Sequence, residues 1–207
     1  LRDAGVRHSV YERAAVEPTF DSVCDAAAWA RALGGDVDAF VAVGGGSAID
    51  TCKVADLMYT HGGDGGDARD ALMQYVNAPV GGGRPVPGPL VPLVAVPTTA
   101  GTGSETTGTA IMDFDSINAK SGISHHHLKP ALGIVDQLNT RTMNRAATVA
   151  SGFDVLCHAV ESYTALPFDA RPAPPAPAQR PAYQGANPIS DQWSLLALGM
   201  TARALRA

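Results

Sequence analysis

The chain has 207 residues, of which 45% are hydrophobic and 17% charged, with a formal net charge of -5. That balance excludes a disordered tail and argues against a nucleic-acid or anionic-membrane partner, because no run of Lys or Arg forms a basic patch. No stretch approaches the ~20 consecutive apolar residues of a membrane helix.

Residues 1–10 read as the end of a helix entering a strand. Residues 20–33 have helical spacing and stop at the pair Gly34-Gly35, a common helix terminator. The apolar run 40–43 reads as a strand. Directly after it comes GGGSAIDTCK, residues 44–53. Glycines after a strand let backbone approach a phosphate, and the start of the next helix, 48–59, offers unpaired amides and a positive dipole end. Ser47 is a candidate cap for that helix, and Asp50 falls in its first turn. The Gly/Asp-rich segments 61–70 and 80–89 read as exposed loops.

A second Val-rich strand spans 93–96, and PTTAGTGSETTGTA (97–110) follows at once. Six threonines, one serine and three glycines can wrap a diphosphate and ribose with hydroxyls and amides while adding little charge. Loops at strand carboxyl ends are where open α/β sheets bind nucleotides. His125, His126 and His127 are three consecutive side chains, which should point in different directions from an exposed loop. Residues 131–135 read as a third strand. Short continuous apolar runs predict strands buried on both faces of a parallel sheet.

Beyond Arg145 strand signals cease. Residues 146–165 and 191–207 read as helices, so a helical domain is expected from 145 onward. In SGFDVLCHAVES (151–162), Asp154 and His158 stand four apart and project from one helical face. A carboxylate and an imidazole suit Fe²⁺ or Zn²⁺, although the same spacing also makes an ordinary hydrogen-bonded pair, and two ligands alone do not complete a catalytic site. Between the helices, FDARPAPPAPAQRPAYQGANP (168–188) is too rich in proline for regular helix; it reads equally as a stiff surface insertion or a substrate-covering loop. Cys24, Cys52 and Cys157 follow no CxxC spacing and read as reduced thiols, with Cys52 and Cys157 expected to be packed.

The ordered motifs GGGSxxDxxK, PTTxGTGSE and GxDxxxH, here 44–53, 97–105 and 152–158, resemble those of the iron-containing alcohol dehydrogenases. The resemblance runs over essentially the whole chain. It implies a partial α/β dinucleotide-binding domain with a parallel sheet at 1–144. The start of an all-α metal-binding domain would follow at 145–207, in a dehydroquinate synthase-like architecture. The chain accordingly reads as a piece cut from a longer fold at both ends.

Carried over by position, Gly44, Gly45, Gly46, Ser47 and Asp50 match the cofactor pyrophosphate loop. Thr98, Thr99, Thr102 and Thr107 match residues lining the cofactor, and Lys120 a lysine near its ribose. Asp154 and His158 match the first two metal ligands, with two further histidines expected beyond residue 207. The acidic residue that selects NAD over NADP in the family lies ahead of this stretch. Asn144 departs from the proline that commonly follows Met143.

Several stretches, above all RPAYQGANPISDQW (180–193), are similar to a branch of the family that works with bound NAD(H) and a divalent metal. That branch passes hydride from a hydroxy acid (4-hydroxybutyrate) to an oxo acid (2-oxoglutarate), giving succinate semialdehyde and 2-hydroxyglutarate. Arg171, Arg180, Tyr183 and Gln184 are its candidate contacts to the acid substrates. An ordinary NAD-dependent alcohol dehydrogenase and an inactive nucleotide-binding fragment are the alternatives. The expected partners are small acids, with neither nucleic acid nor membrane, and a homo-oligomer is compatible. The expected compartment is the mitochondrial matrix for a eukaryotic source and the cytoplasm for a bacterial one.

Overall fold

The computed structural model describes all residues except 35, 64, 65, 182, 206 and 207, together with the side chain of residue 178. The chain divides into two compact units, Leu1–Val96 with Ser104–Ile134, and Pro97–Gly103 with Val135–Ala207.

In the first unit the chain opens with a single 3-10 turn, Arg2–Ala4, and then runs without regular structure. The strand expected within residues 1–10 is therefore absent from the described residues. Helix α1 (Phe20–Arg31) starts where the Thr19 hydroxyl accepts the Ser22 amide at 3.2 Å, a side-chain cap for one orphan donor. It ends ahead of Gly34, with Ala32 as its C-cap; Gly35, the other half of the expected terminator, lies outside the described residues. Strand β1 (Phe40–Gly44) leads into α2 (Gly46–His61), which extends past the expected 48–59 at both ends. A short α3 (Ala68–Met73) precedes β2 (Leu93–Pro97).

Next comes an antiparallel hairpin, β3 (Thr109–Phe114) and β4 (Ala119–Ser124), which sequence patterning did not separate from the Thr-rich loop. Its turn passes through Asn118 at φ 47°, a left-handed conformation that Asn tolerates better than most residues. Strand β5 (Leu132–Gly133) is much shorter than the expected 131–135. It runs parallel to β2, pairing Val94 with Leu132 and Ala95 with Gly133.

The sheet order is β1-β2-β5. The Phe40 amide donates to Pro92 at 2.9 Å, joining the beginnings of β1 and β2, so both strands enter from the same end. Among the described residues, one sheet face is fully covered. Phe40, Ala42, Leu93 and Ala95 pack with Ala26 and Ala30 of α1 and Ile49 and Ala55 of α2. The alanines let helix and sheet approach closely. Val41, Val43, Leu132 and Ile134 are exposed instead, which corrects the expectation of strands buried on both faces.

A second cluster joins the hairpin to the helices: Met112 and Ile123 pack with Val23, Leu57, Met58, Leu72 and Leu128. Each such fully buried side chain contributes about 1.5–3 kcal/mol. Asp56 is buried between Thr60, one turn further along α2, and the approach to β2. Its Oδ1 accepts from the Thr60 hydroxyl at 3.1 Å and the Val91 amide at 3.2 Å, and desolvation pushes its carboxyl up to about 7.

The second unit contains the loop Pro97–Gly103 and two packed helices, α4 (Arg145–Thr164) and α5 (Pro188–Ala204). Asn144, the departure from the family's proline, caps α4 by accepting the Ala147 amide at 2.8 Å. Asn187 and Ser190 form a reciprocal capping box on α5. The Pro-rich stretch between the helices is tied at its base. Phe168 donates to the Ala186 carbonyl at 2.9 Å, and the Ala186 amide donates to Leu166 at 3.2 Å. No helix among the described residues is long and apolar enough to cross a membrane.

Candidate cofactor and metal site

In the first unit, the turn from β1 to α2 is shaped by Gly44. Its φ is 156°, and a Cβ there would stand 2.6 Å from the Cβ of Ala48, far inside van der Waals contact. Gly45 is the N-cap of α2, and no side chain caps this end. The first-turn amides, including those of Gly46 and Ser47, thus present an anion-binding helix terminus.

Ser47 does not cap, contrary to expectation, because it lies inside the helix. Its hydroxyl accepts the Glu17 amide at 3.3 Å and its carbonyl accepts the Thr51 hydroxyl at 2.8 Å. Asp50 is also one residue too deep to count as first-turn acid.

Asp50 turns inward. Its Oδ2 accepts the Ile111 amide of β3 at 3.0 Å, its Oδ1 meets Lys53 Nζ at 3.4 Å, and the Ser104 hydroxyl donates to it as well. Lys53 is wholly buried, and its ammonium also donates to Thr107 Oγ1 at 3.1 Å and to the Thr109 carbonyl at 2.7 Å. Burial is the largest influence on both: it raises the Asp50 carboxyl and lowers the Lys53 ammonium, against the attraction between them.

The pair fastens α2 to the end of the Thr-rich loop and the start of β3. Lys53 sits within a motif, but its partners Thr107 and Thr109 lie more than fifty residues away, so sequence alone gave it no role. Lys120 projects from β4, opposite Asp113 in the hairpin register, with 3.6 Å between the charges, and also pairs with Glu17.

In the second unit, Thr98 and Thr99 are half-buried and Thr102 is exposed. Gly101 of this loop lies against α4. A Cβ at Gly101 would come 2.8 Å from the Cβ of Ser151 and 3.2 Å from Asp154 Oδ2. Asp154 Oδ1 and His158 Nε2 are 3.6 Å apart on one face of α4, beyond hydrogen-bond reach. Both side chains remain accessible, at 39% and 51% exposure, so neither donor is consumed by the other. A carboxylate and an imidazole held this way fit a divalent metal, with the glycine leaving room beside the carboxylate. Arg171, Arg180, Tyr183 and Gln184 are all exposed on the tied Pro-rich segment.

Two further sequence expectations bear on reactive groups. The three cysteines are free, and burial pushes Cys24 up to about 11 and Cys52 up to about 12, which leaves both as protonated packing thiols, whereas Cys157 is exposed on α4, contrary to its expected packing. The three histidines do not diverge. A 3-10 turn at His126–Leu128 brings one ring nitrogen from each within 4.8 Å of the others.

These features agree with comparisons to known proteins. The family model described as iron-containing alcohol dehydrogenase matches residues 1–137. Mitochondrial hydroxyacid-oxoacid transhydrogenase of Bos taurus is 52% identical over 98% of this chain, and the probable enzyme of that name from Dictyostelium discoideum is 48% identical over 97%.

The chain spans 42% and 36% of those two relatives' lengths. Among solved structures, 1,3-propanediol oxidoreductase superposes with a TM-score of 0.75 at 32% identity, covering 99% of this chain and 45% of its own. Sulfoacetaldehyde reductase from Bifidobacterium kashiwanohense, solved with NAD+, gives 0.64 at 29%, covering 78% and 40%. With the family model covering most of the residues and the three motifs folded as strand-end loops and a helix face, the chain belongs to the iron-containing alcohol dehydrogenases.

Proposed function

We propose that the protein carrying this chain is a metal-dependent, NAD(H)-using hydroxyacid-oxoacid transhydrogenase, in which residues 1–144 form part of the dinucleotide-binding domain. Residues 145–207 would open an all-helical metal-binding domain in the dehydroquinate synthase-like manner. The observation that carries this reading is the 52% identity to the Bos taurus transhydrogenase over 98% of this chain. The mitochondrial relatives support a mitochondrial location, and their names support small hydroxy and oxo acids as substrates.

Each residue then has a task. Amides of Gly45, Gly46 and Ser47 hold the cofactor's pyrophosphate, Gly44 gives the turn its shape, and Asp50 with Lys53 braces the loop from beneath. Thr98, Thr99, Thr102 and Thr107 line the cofactor with hydroxyls. Lys120, already between two carboxylates, approaches the ribose.

Asp154 and His158 hold the metal together with ligands supplied by the rest of the protein. When bound, a divalent metal such as Fe²⁺ supplies Lewis acidity for the substrate oxygen, and NAD accepts the hydride. Arg171 and Arg180 offer cations for substrate carboxylates, with Tyr183 and Gln184 as hydrogen-bonding groups.

The test supplies 4-hydroxybutyrate to the full-length protein with and without 2-oxoglutarate. Succinate semialdehyde and 2-hydroxyglutarate are followed by chromatography beside NADH absorbance. Many turnovers only in the presence of 2-oxoglutarate, with no free NADH, are expected. Equal turnover without 2-oxoglutarate, and NADH rising in step, overturns this reading in favour of an ordinary NAD-dependent alcohol dehydrogenase.

A further inference from the structure

His125, His126 and His127 have no part in the reading above, and nothing in the family motifs requires them. Their arrangement depends on how β4 ends. The His125 amide donates to the Gly108 carbonyl at 2.9 Å, which fixes the strand end against the start of β3. Gly108 allows this approach, since a Cβ there would lie 2.6 Å from the His125 carbonyl oxygen. His125 itself stays extended, with φ -156° and ψ 144°.

The chain then turns through 3-10 geometry, with the Leu128 amide donating to His125 at 3.0 Å and Lys129 to His126 at 3.2 Å. Leu128, buried at 1% exposure, anchors the turn in the core. The change from extended to 3-10 backbone folds three consecutive side chains together. Their ring centroids are 4.0 to 5.0 Å apart.

We propose that His125, His126 and His127 form a transition-metal site for Zn²⁺, separate from Asp154 and His158. Three imidazoles and no carboxylate make a nitrogen-only set, which selects zinc-like borderline ions over Mg²⁺ or Ca²⁺. Three protein ligands leave a fourth tetrahedral position for water or an external group.

Zn–N bonds of about 2.0–2.1 Å at tetrahedral angles put ligand nitrogens about 3.3 Å apart. The nitrogens within 4.8 Å must therefore close by roughly 1.5 Å, which rotation of exposed His126 and half-buried His127 can provide. Without metal, His125 Nδ1 accepts the His127 amide at 3.3 Å; ligation through Nε2 moves the ring proton to Nδ1 and gives up that contact. The site adjoins Gly108 and Thr107, and an ion there would clamp the hairpin base beside the Lys53 contact.

The test uses the full-length protein at neutral pH, with Zn²⁺ alone as probe. Equilibrium dialysis followed by metal analysis is expected to show one more Zn²⁺ per chain in the wild type than in His126→Ala/His127→Ala, and Mg²⁺ in excess should not compete. His125→Asn keeps an acceptor for the His127 amide while removing the imidazole. It should weaken Zn²⁺ binding about tenfold or more with the fold intact by circular dichroism. Equal zinc content in wild type and the double variant overturns the site. So does unchanged affinity in His125→Asn, which would reduce the cluster to a two-histidine surface contact. Because the readout is the difference made by these three residues, failure of the transhydrogenase reading leaves it untouched.

Discussion

Replacing Lys53 by Met tests whether the buried Asp50–Lys53 pair holds α2 to Thr107 and the start of β3. The substitution keeps most of the aliphatic volume and removes three donated contacts, at 3.4 Å to Asp50, 3.1 Å to Thr107 and 2.7 Å to Thr109. What remains is a carboxylate at 8% exposure, facing the Ile111 amide and the Ser104 hydroxyl with no countercharge from Lys53.

Breaking a buried pair from one side costs about 3–5 kcal/mol, because the surviving charge stays desolvated. Adding Asp50→Asn removes that charge while leaving an acceptor for Ile111, so the double variant should be clearly more stable than Lys53→Met alone. Urea denaturation of the full-length protein measures the stabilities, and a double-mutant cycle isolates the coupling. Calorimetry with NAD should show weaker binding in Lys53→Met, since Thr107 loses its tether. A Lys53→Met variant within about 1 kcal/mol of wild type would refute the reasoning, as would a double variant that loses the sum of the singles.

Asp56→Asn should remove a pH dependence. The folded carboxyl titrates at about 7 and the unfolded one near its ordinary 3.8, so the folded state holds a proton that the unfolded chain has released. Stability contributed by this group is full below pH ~4 and falls as pH rises towards 7, by about 4 kcal/mol in all. Melting temperatures at pH 5 and pH 8 should therefore converge in the variant, and an unchanged gap would count against it.

Gly44→Ala should lower NAD affinity by about tenfold or more by displacing the turn that presents the helix amides, read by calorimetry; unchanged affinity would remove Gly44 from the site. Gly101→Ala should push the loop from Asp154 and reduce metal retained after dialysis against a mild chelator, whereas wild-type retention would show that the loop gives way freely.

Several elements were legible because their signals are local. The runs at 40–43 and 93–96 fold as β1 and β2, and the periodic stretches give α1, α2, α4 and α5. The hairpin was not, since β4 reads AKSGIS, whose small and polar residues carry almost no alternation. Its register comes from Met112 and Ile123 packing against helices far away in sequence. The strand at 131–135 was read too long: Leu132 and Gly133 form the ladder pairs with β2, and the flanking Ala131 and Ile134 amides donate to the Leu93 and Ala95 carbonyls at its two ends.

At the site, the glycine turn and the i,i+4 spacing of Asp154 and His158 follow from neighbouring residues. The inward turn of Asp50, the Lys53 tether and the approach of Gly101 to Asp154 are contacts across tens of residues, and no local pattern encodes them. The histidine triplet failed for another reason: the argument from divergence assumed a uniform backbone, and the change to a 3-10 turn broke that assumption.

The knot at the foot of the Pro-rich segment has a practical meaning. Gly185 has φ 92°, and a Cβ there would fall 2.0 Å from the Leu166 carbonyl, so the crossing of Pro167 with Ala186 depends on a residue without one. With that crossing in place, the two ends of the segment meet whatever lies between them. Closure entropy changes only by about 0.6 kcal/mol for each doubling of length. The segment from Asp169 to Gln184 can thus change in length at little closure cost while α4 and α5 keep their places.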